Sequence, residues 1–91
     1  MVEFGIKRQD DAFYLVVWPD PTDEPMLFNT HNLTHVAYIK IAHVLDTRAY
    51  KITLNYYGGR KERYIVSNES FGDFVAIARA FKPLKERVKW P

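Results

Sequence analysis

The sequence contains no cysteine, which excludes disulfide staples, thiolate zinc sites, iron–sulfur clusters and a cysteine nucleophile together. No apolar run approaches the roughly 18 residues that a membrane span requires. Met1 to Arg8 shows no charged leader ahead of an apolar stretch, so the chain is expected to be soluble and cytoplasmic, with no membrane partner. Glycine is scarce, with four in the chain, and none opens a phosphate-cradling loop or forms a Gly-x-Ser-x-Gly hydrolase elbow. Neither an internal repeat nor a low-complexity segment is present. What remains is 91 residues of 47% apolar composition, enough for a single domain around one core, with 82–91 expected as a basic tail.

The formal charge of +2 conceals an asymmetry. Residues 1–45 carry six acids against three bases, whereas 46–91 carry five acids against ten bases. A basic second half suits a polyanionic partner, and it equally suits self-association with the acidic first half.

Hydrophobic periodicity supplies the elements. Val2 to Ile6 is a candidate edge strand, and Ala12 to Trp18 is apolar at both parities, as a strand covered on two faces would be. Three prolines within Pro19–Pro25 demand a loop, Met26-Leu27-Phe28 is a short strand candidate, and Asn29-Thr30-His31-Asn32 has turn chemistry. In the run Thr34 to Leu45, Ala37, Ile39 and Ile41 share one face while Val36 has the wrong parity, which predicts a bend or bulge beside it. After a turn at Asp46-Thr47, the stretch Arg48 to Tyr57 alternates cleanly, with Tyr50, Ile52, Leu54 and Tyr56 opposite Lys51, Thr53 and Asn55.

Gly58-Gly59 marks a hairpin, because glycine supplies the positive φ of tight turns. A two-residue loop would set Ile65 opposite Ile52 and Arg63 opposite Leu54. A three-residue loop puts Tyr64 and Val66 on the Ile52 and Leu54 face, and is expected because it buries two large residues. Ser67 to Ser70 offers N-caps to a helix running to about Lys82, with Phe71, Phe74, Val75, Ala78 and Phe81 as its apolar stripe. Pro83 ends that helix.

These elements predict an α+β fold: an antiparallel β-meander of five to six strands, open or curled into a partial barrel, with one C-terminal α-helix packed on one face. A single helix covers one face, so either the curl or a second copy of the chain is expected to cover the other. The pattern Asn32 to Ile41, Tyr50 to Leu54, Gly58-Gly59 and Val66 to Phe71 resembles small stand-alone bacterial and phage proteins of uncharacterised function. The order of strands and closing helix is also similar to pleckstrin-homology-like domains. The resemblance implies a fold and carries over no functional residue.

Chemistry is sparse. His35 and His43 share parity but lie about 26 Å apart in an extended run, at about 3.3 Å per residue, too far to share a metal. His31 and His35 would align only on a helix, and their neighbours favour a turn and a strand start. Asp10-Asp11 and the acids of Asp20–Glu24 belong to solvated loops, and Ser67 and Ser70 to helix capping. No catalytic constellation, metal or cofactor is expected, and the chain is not expected to be an enzyme. The distinctive cluster is the hairpin tip, where Tyr56, Tyr57, Arg60, Lys61 and Arg63 gather two rings and three cations. Aromatic residues and arginine anchor protein interfaces, which makes the leading expectation a non-catalytic interaction module binding a protein partner or a second copy of itself. The same residues, with the basic second half, suit a single-stranded nucleic acid. A bland reading puts Tyr56 in the core and leaves the cations as solubilising edge charges.

Overall fold

The computed structural model describes residues 1–20 and 27–90. Most of the loop expected at Pro19–Pro25, and Met26 of the short strand candidate, lie outside the described residues. The fold is a small single-domain α+β arrangement of two open sheets with one main helix after the strands.

The first sheet comprises β1 (Glu3–Gln9), β2 (Ala12–Trp18) and β3 (Asn29–Asn32), in the order β1-β2-β3. Asp10 and Asp11, at φ 50° and 62°, make the two-residue turn that joins β1 to β2. Positive φ at both central residues matches the right-handed twist of the flanking strands, at the cost of holding two side-chain-bearing residues in the left-handed region. β3 corrects the turn expected at Asn29-Thr30-His31-Asn32. These residues have weak β propensity, yet pairing of Leu15 with His31 and of Tyr14 with Asn32 supplies their backbone with partners.

A 3-10 turn at Leu33–His35 then carries the chain into a second sheet. This sheet contains β4 (Val36–His43), β5 (Tyr50–Tyr56), β6 (Lys61–Val66) and β7 (Val88–Lys89), in the order β6-β5-β4-β7. The irregularity predicted beside Val36 is a shift of register between Val36 and Tyr38. Ile52 pairs with Tyr64 and Tyr50 with Val66, the register of the three-residue loop. Its glycines sit at φ 93° and 97°, which only glycine adopts without strain.

The single antiparallel meander of five to six strands is thus replaced by seven strands in two sheets that do not close into a barrel. The seventh is parallel to β4, pairing Ile39 with Val88 and Lys40 with Lys89. Two features caused the difference: a polar strand with turn-like composition, and a C-terminal segment too short to show periodicity.

Helix α1 (Asn68–Ala80) is capped by Ser67, whose hydroxyl accepts from the Ser70 amide at 3.1 Å. The fully buried Ser70 donates its own hydroxyl to the Val2 carbonyl at 2.7 Å, tying the helix to the start of the chain. Phe74 meets Phe4 edge-on at 5.2 Å, and Phe71 stacks on Tyr50 at 3.9 Å. The helix therefore bridges both sheets. It ends at Ala80, two residues before the expected Lys82, because Pro83 has no amide to donate and would clash with the carbonyl four residues back. Pro83 is tolerated in the first turn of α2 (Lys82–Lys85).

Leu15, Val17, Leu33, Ile39, Ile52, Leu54, Phe74, Ala78 and Leu84 form one continuous core between the inner faces of the two sheets and the helices. The apolar surplus that the sequence would assign to a second copy is covered within the chain by the three-stranded sheet. Nor is 82–90 a loose tail: Leu84 is fully buried, Val88 is 7% exposed, and the Arg87 side chain donates to the Val36 carbonyl at 3.2 Å and the Pro83 carbonyl at 2.5 Å. Leu84→Ala is therefore expected to cost about 2–4 kcal/mol in a urea unfolding experiment; a loose tail would show no change. Asp11→Gly, which relieves one left-handed residue, is expected to stabilise by about 1 kcal/mol, read as a rise of roughly 4–8 °C in Tm.

Candidate functional site

The alternation of β5 sorts the hairpin residues onto two faces. Tyr56 points inward and is 9% exposed, and Tyr64 follows it on β6. A buried phenol needs a partner for its hydroxyl, and both find the same one. His31 of β3, 4% exposed, reaches across from the other sheet with Nδ1 hydrogen-bonded to the Tyr56 hydroxyl and Nε2 to the Tyr64 hydroxyl at 2.5 Å. A neutral imidazole carries one N–H and one lone pair, so it donates to one phenol and accepts from the other.

Arg60 folds back over this cluster, its guanidinium carbon 4.0 Å from the centre of the Tyr56 ring and its Nε 4.0 Å from a Glu62 carboxylate oxygen. Burial pushes the His31 pKa below the usual imidazole value, with Glu62 opposing and Arg60 reinforcing that shift. Burial also raises both phenols, against hydrogen bonds from Arg60 to Tyr56 and from Asn29 to Tyr64. With both its nitrogens engaged, His31 has no lone pair to offer a metal. Among the described residues no group of three or more His, Asp or Glu converges. The cluster joins the two sheets.

The outer face of the four-stranded sheet is different. Tyr38, Lys40 and Ala42 of β4, Lys51, Thr53 and Asn55 of β5, and Lys61 and Arg63 of β6 line a shallow recess of about 210 Å³. Cross-strand pairing sets Arg63 opposite Thr53, Thr53 opposite Lys40, and Lys40 beside Lys89. The Lys89 ammonium lies 4.1 Å from the centre of the Tyr38 ring. Five cations thus share one sheet face, and no carboxylate lines the recess. Like charges on neighbouring strands are destabilising, so stability alone does not account for the arrangement.

The five hairpin residues therefore part company. Tyr56 and Arg60 belong to the His31 cluster, Lys61 and Arg63 to the cationic face, and Tyr57 stands 71% exposed at the tip. Three other bases of the second half are engaged elsewhere: Arg79 over Trp90, Lys82 with Glu86 at 3.7 Å, and Arg87 on backbone carbonyls. Lys40, Lys51 and Lys89 were not singled out by the hairpin-tip reading, although their outward parity on paired strands is the signal that locates them. For His31 the available signal was indirect, since two inward tyrosines need a polar partner from another element.

Because folding favours neutral His31, the unfolded chain takes up the proton first, and stability falls as the pH drops below about 6.5. Urea unfolding is expected to show this loss between about pH 7 and pH 5. His31→Gln should be less stable at pH 7.5 and show a flatter dependence across that window; equal slopes would contradict the account. No family model, curated protein or solved structure matches this chain.

Proposed function

We propose that the chain is a non-catalytic module that binds single-stranded nucleic acid across the outer face of its four-stranded sheet. The observation that carries this reading is the concentration of Lys40, Lys51, Lys61, Arg63 and Lys89 on one open face whose recess holds no carboxylate. Phosphates would neutralise charges that otherwise repel one another, with release of condensed counterions. A sheet presents a broad, shallow platform along which a splayed single strand can lie. Tyr57, exposed in the turn that follows β5, supplies a ring on which an unpaired base can stack. This reading keeps Tyr57, Lys61 and Arg63 as binding residues, adds Lys40, Lys51 and Lys89, and assigns Tyr56 and Arg60 to support of the hairpin.

A protein partner or second copy is the other reading. It is favoured by the contact of Trp18 with Phe28 at 6.2 Å and by the exposure of Leu27 and Phe28, 66% and 53%, just ahead of β3. The two readings use opposite sides of the molecule and separate cleanly by salt.

A labelled 12-nucleotide single strand is expected to bind at low salt, with an affinity falling at a log–log slope of about −3, since each neutralised phosphate of a single strand contributes about 0.7. Lys40→Ala with Arg63→Ala should reduce that slope by about 1 to 1.5. No binding at low salt, or a slope unchanged in the double variant, would contradict the assignment.

A further inference from the structure

We propose that the recess on this face is a base-reading subsite in which Asn55 selects nucleobases bearing an exocyclic amine. The inference rests on the single-strand reading and extends it from backbone attraction to base identity.

Thr53 and Asn55 form the floor of the recess, at 8% and 7% exposure, although they lie on the solvent-facing side of the sheet. The side chains of Lys40, Lys51, Lys61, Arg63 and Tyr38 rise around them. The Asn55 amide is oriented by its own strand: Nδ2 donates to the Thr53 carbonyl at 3.3 Å. A carbonyl oxygen can only accept, so this bond fixes which end of the amide is which and directs Oδ1 away from the strand. Among the described residues none donates to Oδ1, and the Thr53 hydroxyl also has no side-chain or backbone partner. Among the described residues no buried side-chain polar atom lacks a hydrogen-bond partner, so Oδ1 and the Thr53 hydroxyl keep access to solvent at the floor of the recess and are open to a ligand group.

The chemistry of the surroundings indicates which ligand group fits. Lysine and arginine only donate, so the rim receives phosphates and base carbonyls from any nucleotide without preference. Thr53 and Tyr38 hydroxyls rotate and adapt to either role. Oδ1 of Asn55 is the one acceptor in the recess whose direction is set, and it requires a donor.

Adenine and cytosine project an exocyclic amine from the ring edge and can supply that donor. Uracil presents carbonyl oxygens at its periphery, and its one ring donor, the imide N–H, lies between two of them, so a bond to Oδ1 brings both oxygens alongside the acceptor and is weaker than one from an amine at the ring edge. A buried acceptor left unpaired in the complex penalises the wrong base more strongly than a missing apolar contact would. Tyr57 opens the turn that follows β5, two residues beyond Asn55. A base stacked there and its neighbour over the recess would follow the strand direction.

The decisive measurement changes one ligand atom group and leaves the protein intact. Fluorescence anisotropy would compare labelled eight-nucleotide RNAs of adenosine, cytidine, uridine and purine riboside, the last being adenosine without its amine. The adenosine and cytidine oligomers are expected to bind roughly five- to tenfold more tightly than the other two, the range expected when one base contact is made or lost. Asn55→Leu should remove the preference, and Thr53→Val, which keeps the backbone carbonyl that orients Asn55, should retain it. Equal affinity for adenosine and purine riboside oligomers, or a preference surviving Asn55→Leu, would overturn the subsite while the salt-dependent backbone reading stood. Absence of binding to all four at low salt would overturn both.

Discussion

The structure depends on β5 being interior to its sheet while only one of its faces is covered. Hydrogen-bonded on both edges, β5 cannot slip without moving every alternate side chain to the wrong side. Tyr50, Ile52, Leu54 and Tyr56 therefore face the core, and Lys51, Thr53 and Asn55 face water. Helix α1 and the three-stranded sheet both pack on the inner side, which is as much apolar cover as the chain provides. The outer side is left free of packing duties, and that is where Lys51, Lys61, Arg63 and Lys89 of the basic second half gather with Lys40.

The two sheets meet through a core that is mostly aliphatic and aromatic; besides Ser70 on the helix, it buries the polar side chain of His31. Its position explains three otherwise separate facts: the polar composition of β3, the inward placement of two tyrosines, and the return of Arg60 from the hairpin tip onto Tyr56. A buried histidine with both nitrogens satisfied specifies how the sheets align, since any sliding breaks two hydrogen bonds at once and strands polar groups in the core. Tyr56 and Arg60 thus hold the base of the hairpin in place, while Tyr57 stands exposed at its tip.

Much of this was legible in the sequence, and the limits have physical causes. The long alternating stretch of β5, the glycine pair and the apolar stripe of α1 were visible because each element states its own period over several residues. The register of the hairpin followed from burying Tyr64 and Val66. β3 was not visible because Asn29 to Asn32 form a strand only through pairing with β2, a tertiary effect that local propensity does not encode. β7 is two residues long and carries no pattern of its own. The cationic face was half-legible: the charge asymmetry was plain, but Lys40 belongs to the acidic half of the chain and joins the others only once β4 pairs with β5. The stripe of α1 was also displaced, since Ser70 occupies a fully buried position where an apolar residue would be expected, and its bond to the Val2 carbonyl is the reason.

The central claim is that the molecule has one covered and one functional side to its larger sheet. Backbone amide shifts followed by NMR during titration with a single-stranded oligonucleotide at low salt test it most directly. The account predicts perturbations confined to outward positions of β4, β5 and β6, Lys40, Lys51, Thr53, Asn55, Lys61 and Arg63 among them, with Tyr57 and Lys89. Perturbations centred on Trp18 and Phe28, or around Arg79 and Trp90, with this face unmoved, would contradict it.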